Sequence, residues 1–309
     1  MSRRLLLVLS GLIISACCCR IESGQQKFND YLIQLQNVDL EAIGNTRFDL
    51  VIIDYSRDGS EEGRFSPDAI RALKTGPGGS KLVIAYLSIG EAESYRWYWD
   101  SLWDADRDGH PDPGAPSWLG DANPDWPDNY KVRYWEQGWQ EIIYLYLDRI
   151  IDAGFDGVLL DVVDAYEYWG PEGESGAEFA PAASEMVRFV SGIASYTRQV
   201  RGRSDFLVIP NGGEGLGEFD EYRTVVSAIL REDVWYYDNS PQPPEATAEV
   251  IDRLNRFHSE GKPVLVLDYV TEPVLIDDFY ARAESMGFIP YATVRALDRL
   301  TINPGHEPD

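Results

Sequence analysis

An α/β fold built as a single-domain (β/α)8 TIM barrel is the prediction for this chain, and three observations carry it. Short apolar runs that end abruptly in a polar residue alternate with amphipathic helical stretches along the chain. The runs are apolar at consecutive positions, as expected of parallel strands covered on both faces. The chain has 309 residues, 44% of them hydrophobic, with no second linker-bounded domain, which suits one barrel-sized unit better than two small ones. A doubly wound open sheet is the runner-up, but no G-x-G-x-x-G follows the first strand to support it.

At the N-terminus, Arg3 and Arg4 precede the apolar run Leu5 to Ile14, which is too short to span a bilayer as a stable helix. The tetrapeptide Ile14-Ser15-Ala16-Cys17 resembles the lipobox of bacterial lipoproteins, which implies that Cys17 is lipidated and heads the mature chain. The expected organisation is a lipoprotein signal peptide (1–16), a tether and N-terminal segment (17–44), the barrel (45–302) and a tail (303–309), held at the cell envelope by a lipid anchor. An ordinary secretory signal, with Cys17, Cys18 and Cys19 incidental, is the alternative. All three cysteines lie in that cluster, so the body has no disulfide framework, thiol nucleophile or cysteine metal site.

The strands follow in order. FDLVIIDY (Phe48 to Tyr55) is the first buried strand and ends at Asp54, whereas residues 20–45 read as a tether followed by a short helix or edge strand. A helix from Pro67 to Lys74 ends at Gly76-Pro77-Gly78-Gly79 before LVIAYLSI, with Gly90-Glu91 at its tip. Residues 92–129 break the rhythm as a long loop in which Tyr95, Trp97, Tyr98, Trp99, Trp103, Trp118 and Trp126 are dense; packing is the expectation for each ring, with a ligand platform among them. Tyr130 to Trp135 is the weakest strand. A helix from Trp139 to Ala153, stopped by Gly154, leads into the strand that ends at Asp161. A helix from Pro181 to Val200 precedes FLVIP, tipped by Asn211. Thr224 to Leu230 is a strand ending at Arg231-Glu232-Asp233. A helix from Glu245 to Ser259 precedes Val264 to Leu267, tipped by Asp268 and Tyr269. A helix from Asp277 to Met286 and the strand Phe288 to Thr293 complete eight strands.

Acid or amide groups thus recur at the C-terminal tips: Asp54, Glu91, Asp161, Asn211, Glu232 and Asp268. Like charges gathered at one end of a barrel oppose folding, so a structural role alone explains them poorly. Glycosidic cleavage needs two carboxylates with their pKa values driven apart, and Asp161 and Glu232 are the candidate pair. His110, His258 and His306 fall in a loop, a helix and the tail, which leaves no material for a Ser-His-Asp triad or an H-E-x-x-H zinc site. Asp104, Asp106, Asp108, Gly109 and Asp112 match five positions of a calcium loop, but Ala115 stands where the bidentate Glu belongs, so a solvated acidic turn is the default. No metal or cofactor is expected.

FDLVIIDY, YLSIGEAESYRWYW, GFDGVLLDVVDAYEYW, the Asn after the fifth strand, REDVWYY, VLVLDY and GFIPYATVRALD together resemble glycoside hydrolase family 114, the endo-α-1,4-polygalactosaminidases, over roughly residues 45–300. The resemblance implies a barrel that cleaves α-1,4-linked galactosamine-containing exopolysaccharide, such as biofilm matrix. It places the catalytic acids at Asp161 and Glu232, and lines the cleft with Asp54, Tyr86, Glu91, Asn211, Asp268 and Tyr269. Between the adjacent Glu232 and Asp233, only the resemblance selects the first. Loss of Arg3 and Arg4 with the leader leaves 25 cations against 52 acids, a net charge of −27, which disfavours nucleic acid and suits a cationic amino sugar. A monomer is expected. A non-catalytic carbohydrate-binding lipoprotein on a barrel scaffold is the alternative function.

Overall fold

The structure, a computed structural model, describes residues 28–309; the leader and Cys17 lie outside them. Eight strands are laid out as an α/β barrel: β1 (Tyr31–Gln34), β2 (Leu50–Ile53), β3 (Leu82–Ser88), β4 (Gly157–Asp161), β5 (Leu207–Pro210), β6 (Ile229–Glu232), β7 (Val264–Asp268) and β8 (Ile289–Ala292). β1 to β5 form one parallel sheet in chain order and β6 to β8 a second. The two are joined by a parallel bridge between Asn211 and Leu230, with the Gly212 N–H donating to the Leu230 carbonyl at 2.9 Å. On the other side the N–H groups of Leu35 and Gln36 both donate to the carbonyl of Leu297, and the rings of Tyr31 and Tyr291 lie 5.6 Å apart. Every residue of β1, β2, β3 and β7 is buried, which is the burial expected of strands sandwiched between a packed interior and covering helices.

Three strand expectations are corrected. The first barrel strand is Tyr31–Gln34, within residues 20–45, expected as a tether followed by a short helix or edge strand, so the barrel begins before residue 45. Four residues of YLIQ carry too little periodicity to separate a central strand from an edge. Tyr130 to Trp135 is not a barrel strand. Its first residues close a three-stranded antiparallel sheet, Glu91–Glu93, Trp126–Val132 and Leu119–Asn123, that grows out of the tip of β3 inside the long aromatic stretch. The sixth strand is also shifted: Asp220–Val225 is a helix, and β6 starts at Ile229.

The helices lie close to their expected places. Ser66 caps Pro67–Leu73 by accepting the Ala69 N–H, with Pro67 in the first turn. Gln137–Ala153 ends at Gly154, whose φ of 92° makes it a left-handed stop. Ala182–Ser195 runs on into a π turn, Tyr196–Val200. Pro244–Ser259 and Pro273–Ser285 cover the last strands, each with proline in its first turn.

Candidate active site

The strand tips open into one cleft of about 870 Å³. Asp161, the last residue of β4, stands beside Ser88 of β3 in the sheet register, and Glu232 is the last residue of β6. Between them is Asn211. Its Nδ2 donates to Asp161 Oδ1 at 2.9 Å and to Glu232 Oε1 at 2.8 Å, so those two oxygens lie no more than 5.7 Å apart. Each acid has a second donor of its own: Tyr86 Oη gives its proton to Asp161 Oδ2 at 2.8 Å, and Tyr269 Oη to Glu232 Oε2 at 2.7 Å.

The backbone aims these groups. Val162 and Asp233, each directly after an acid, have φ of 57° and 53°, and Gly212 and Gly213 after Asn211 have φ of 70° and 66°. All three tips therefore leave the sheet through a left-handed turn. For a β-branched residue such as Val162 that conformation is a true outlier, of the kind that gathers at functional sites. The turn after Asp161 is wedged on two sides, since a Cβ on Gly90 would stand 2.1 Å from the Val162 carbonyl and one on Gly213 2.7 Å from the Val163 side chain.

Burial raises the carboxyl of Asp161 above its ordinary range, against the lowering effect of the Tyr86, Asn211 and Val162 donors. Glu232 is raised by burial and then by the charge of Asp161, with Tyr269 and Asn211 opposing. Burial and the neighbouring carboxylates hold both tyrosine hydroxyls well above the usual phenol range, so each remains a proton donor at any working pH. Asp164, three residues past Asp161, is open to the cleft, yet the protein around it and then the charge of Asp161 push its carboxyl up to about 6.

The remaining expected residues take different places. Asp54 lines the cleft, but both its oxygens are held by Arg96, at 2.9 and 2.8 Å, and Arg96 also grips Glu93 at 2.6 Å. Glu91 likewise lines it and is tied to Lys131 at 2.6 Å and to Asn123 and Asn129. Asp268 is not in the cleft. Its side chain is wholly buried and accepts the N–H groups of Val234, Trp235 and Tyr236, fastening the loop after β6; burial pushes its carboxyl up to about 7. Glu232 and Asp233 separate cleanly, because Asp233 turns to Arg295 in a bidentate pair at 3.0 and 2.9 Å while Glu232 faces Asp161.

Of the seven aromatic residues in the long stretch, Tyr95 and Trp126 line the cleft, 46% and 57% exposed. The other five join a chain of ring contacts, edge-to-face except for the tilted Trp139–Trp118 pair, that runs from Trp97 and Tyr98 through Trp139 to Trp118, Trp103 and Trp99. In the acidic loop, carboxylate oxygens of Asp104, Asp106 and Asp108 lie within 4.8 Å of one another, while Asp112 bonds the Ala105 N–H and Asp104 accepts from Tyr130, Asp108 and Gly109. Arg96, Asp164 and Arg295 were absent from the expected site. Arg96 could be found only by knowing that residues 42 apart meet, and Asp164 sat in plain view two positions after Val162.

Residues 21–307 match the glycoside-hydrolase family GH114. The chain belongs to that family. It is a glycosidase, and its barrel is the family's fold. Among curated proteins it is 36% identical to an uncharacterized protein of Thermotoga maritima, over 98% of this chain and 93% of the relative, and 39% identical to one of Methanocaldococcus jannaschii, over 86% and 76%. Among solved structures, the GH114 chain shares its fold with the glycoside hydrolase domain of PelA from Pseudomonas aeruginosa (18% identity, TM-score 0.64, covering 90% of this chain and 99% of that one). It also shares it with Aspergillus fumigatus Ega3 in complex with galactosamine (18% identity, TM-score 0.65, 89% and 95%).

Proposed function

We propose that this GH114 glycosidase cleaves α-1,4-linked galactosamine-containing polysaccharide by a retaining mechanism, with Asp161 as nucleophile and Glu232 as acid and base. The observation that carries the reading is the single amide of Asn211 bonded to both carboxylates, which holds them within 5.7 Å. Carboxyl groups about 5 to 5.5 Å apart are the spacing of retaining glycosidases, whereas inverting ones leave roughly 6.5 to 9.5 Å for a water.

The two acids differ in the way the roles require. Burial raises both acids, and the negative charge of Asp161 raises Glu232 further, the direction that an acid beside an ionised nucleophile requires. In the first step Asp161 attacks the anomeric carbon and Glu232 protonates the departing glycosidic oxygen. In the second, Glu232, now ionised, takes a proton from water, whose oxygen displaces Asp161 and restores both groups. Tyr86 and Asn211 hold the nucleophile, and Tyr269 and Asn211 hold the acid.

The charge of the cleft supports a cationic substrate. Arg96, Lys131 and Arg295 are paired with Asp54, Glu93, Glu91, Asp233 and Asp238, and Arg57 and Arg231, which also line the cleft, make no hydrogen bond to Asp161, Asp164 or Glu232. The tether and Cys17 deliver the barrel to the cell envelope as a lipid-anchored protein, a reading that loss of lipid labelling in Cys17→Ser checks.

The test is hydrolysis of defined, partly de-N-acetylated α-1,4-galactosamine oligomers by the soluble barrel. Asp161→Asn and Glu232→Gln are each expected to lower kcat by about 10³-fold or more with the fold intact by circular dichroism. Undiminished release of oligosaccharides by both variants refutes the assignment.

A further inference from the structure

The catalytic scheme leaves one cleft carboxylate unused, Asp164. It precedes the short helix Ala165–Trp169 in the capping position, where an Asp side chain ordinarily accepts an N–H from the first turn, yet it caps nothing. Among the described residues its carboxylate takes no hydrogen bond or close ion pair, and Arg231, whose charge acts on it, has its ion pair with Glu214 at 3.7 Å. Its neighbours are unlike it: Asp54, Glu91 and Asp233 are each locked to an arginine or lysine. Asp164 forgoes the cap and stands beside the like charge of Asp161 on a turn wedged between Gly90 and Gly213. A fixed, solvent-facing carboxylate with its acceptors unspent, in a substrate cleft, is arranged for something that is not part of the chain.

We propose that Asp164 is a specificity-determining residue that pairs with the ammonium group of an unacetylated amino sugar and thereby selects it over the N-acetylated one. The inference rests on the glycosidase reading above and deepens it. An ammonium offers a positive charge and three donors to a carboxylate that can only accept, and charge-assisted hydrogen bonds of this kind are roughly twice as strong as neutral ones. An acetamide offers one neutral donor and a methyl group, and leaves the charge of Asp164 unanswered. The carboxyl near 6 adds a consequence: the ionised form makes the pair, so the preference for free amine is present above that pH and fades below it.

The experiment compares wild type and Asp164→Asn on fully de-N-acetylated and fully N-acetylated α-1,4-galactosamine oligomers. The expected result is a fall in kcat/KM of about 10- to 100-fold on the free-amine oligomer and little change on the acetylated one. Equal losses on both, which would make Asp164 part of the chemistry or of the fold, overturn the proposal, and so does no loss on either. Wild type inactive on both oligomers would instead sink the substrate reading. In that event tryptophan fluorescence titration with galactosamine and N-acetylgalactosamine still tests Asp164: binding weakened by Asp164→Asn for galactosamine alone supports its role, and binding unchanged by the variant refutes it.

Discussion

Tyr86 and Tyr269 make separable predictions, because each hydroxyl bonds one acid and stabilises its ionised form. The proposed mechanism requires Asp161 ionised and Glu232 protonated, so kcat/KM is expected to fall on the acid side as Asp161 gains its proton and on the alkaline side as Glu232 loses its own. Both limbs lie above ordinary carboxylate values, since burial raises both groups. Removing a donor raises the pKa of its acid. Tyr86→Phe therefore moves the acid limb to higher pH and leaves the alkaline limb in place, while Tyr269→Phe moves the alkaline limb up; pH–rate profiles of the two variants check this, and a shift of the wrong limb contradicts the pairing. Asn211 bonds both acids, and Asn211→Ala disturbs both limbs together.

The turn after β4 and the arginine behind β2 show how secondary structure sets the site. Gly90 is in close contact with the Val162 carbonyl, and Gly90→Ala must displace the turn that aims Asp161; activity is expected to fall steeply, and a variant with wild-type kcat contradicts this account of the wedge. Arg96, Asp54 and Glu93 form a buried ion cluster with side chains 1%, 10% and 3% exposed, and the guanidinium also lies 5.7 Å over the ring of Tyr86. Removing the cation strands two buried carboxylates, so Arg96→Met is expected to cost about 3–5 kcal/mol, measured by urea denaturation. These elements also mark how far the sequence could be read. Strands such as FDLVIIDY and VLVLDY announce themselves, because a buried parallel strand is apolar at every position and ends where the barrel meets solvent. YLIQ is too short to do so, and Tyr130 to Trp135 resembles a barrel strand because Tyr130, Val132 and Tyr134 are buried in alternation, a pattern that an antiparallel strand shares. At the tips, position marked Asp161 and the adjacent Glu232 and Asp233, and only the resemblance chose between the last two. Position could not tell Asp268, whose carboxylate is spent on three N–H groups, from an acid facing the cleft, since that difference is made by the loop after β6 folding back over β7.

Over the whole molecule, an excess of acids on the body and a cleft lined by nine carboxylates against five cations give a field expected to draw positively charged chains to the barrel mouth. Apparent affinity for a free-amine polymer is expected to weaken as salt rises from about 0.01 to 0.15 M, where the screening length shortens from roughly 30 to 8 Å, whereas a fully acetylated polymer shows no such dependence. The claim on which the rest stands is that Asp161 and Glu232, brought from β4 and β6 to one amide, are close enough for a covalent glycosyl intermediate. Proton NMR of the first product released from an α-linked galactosamine oligomer, recorded before mutarotation, tests it most directly. The α-anomer is the predicted product, and the β-anomer would contradict the account.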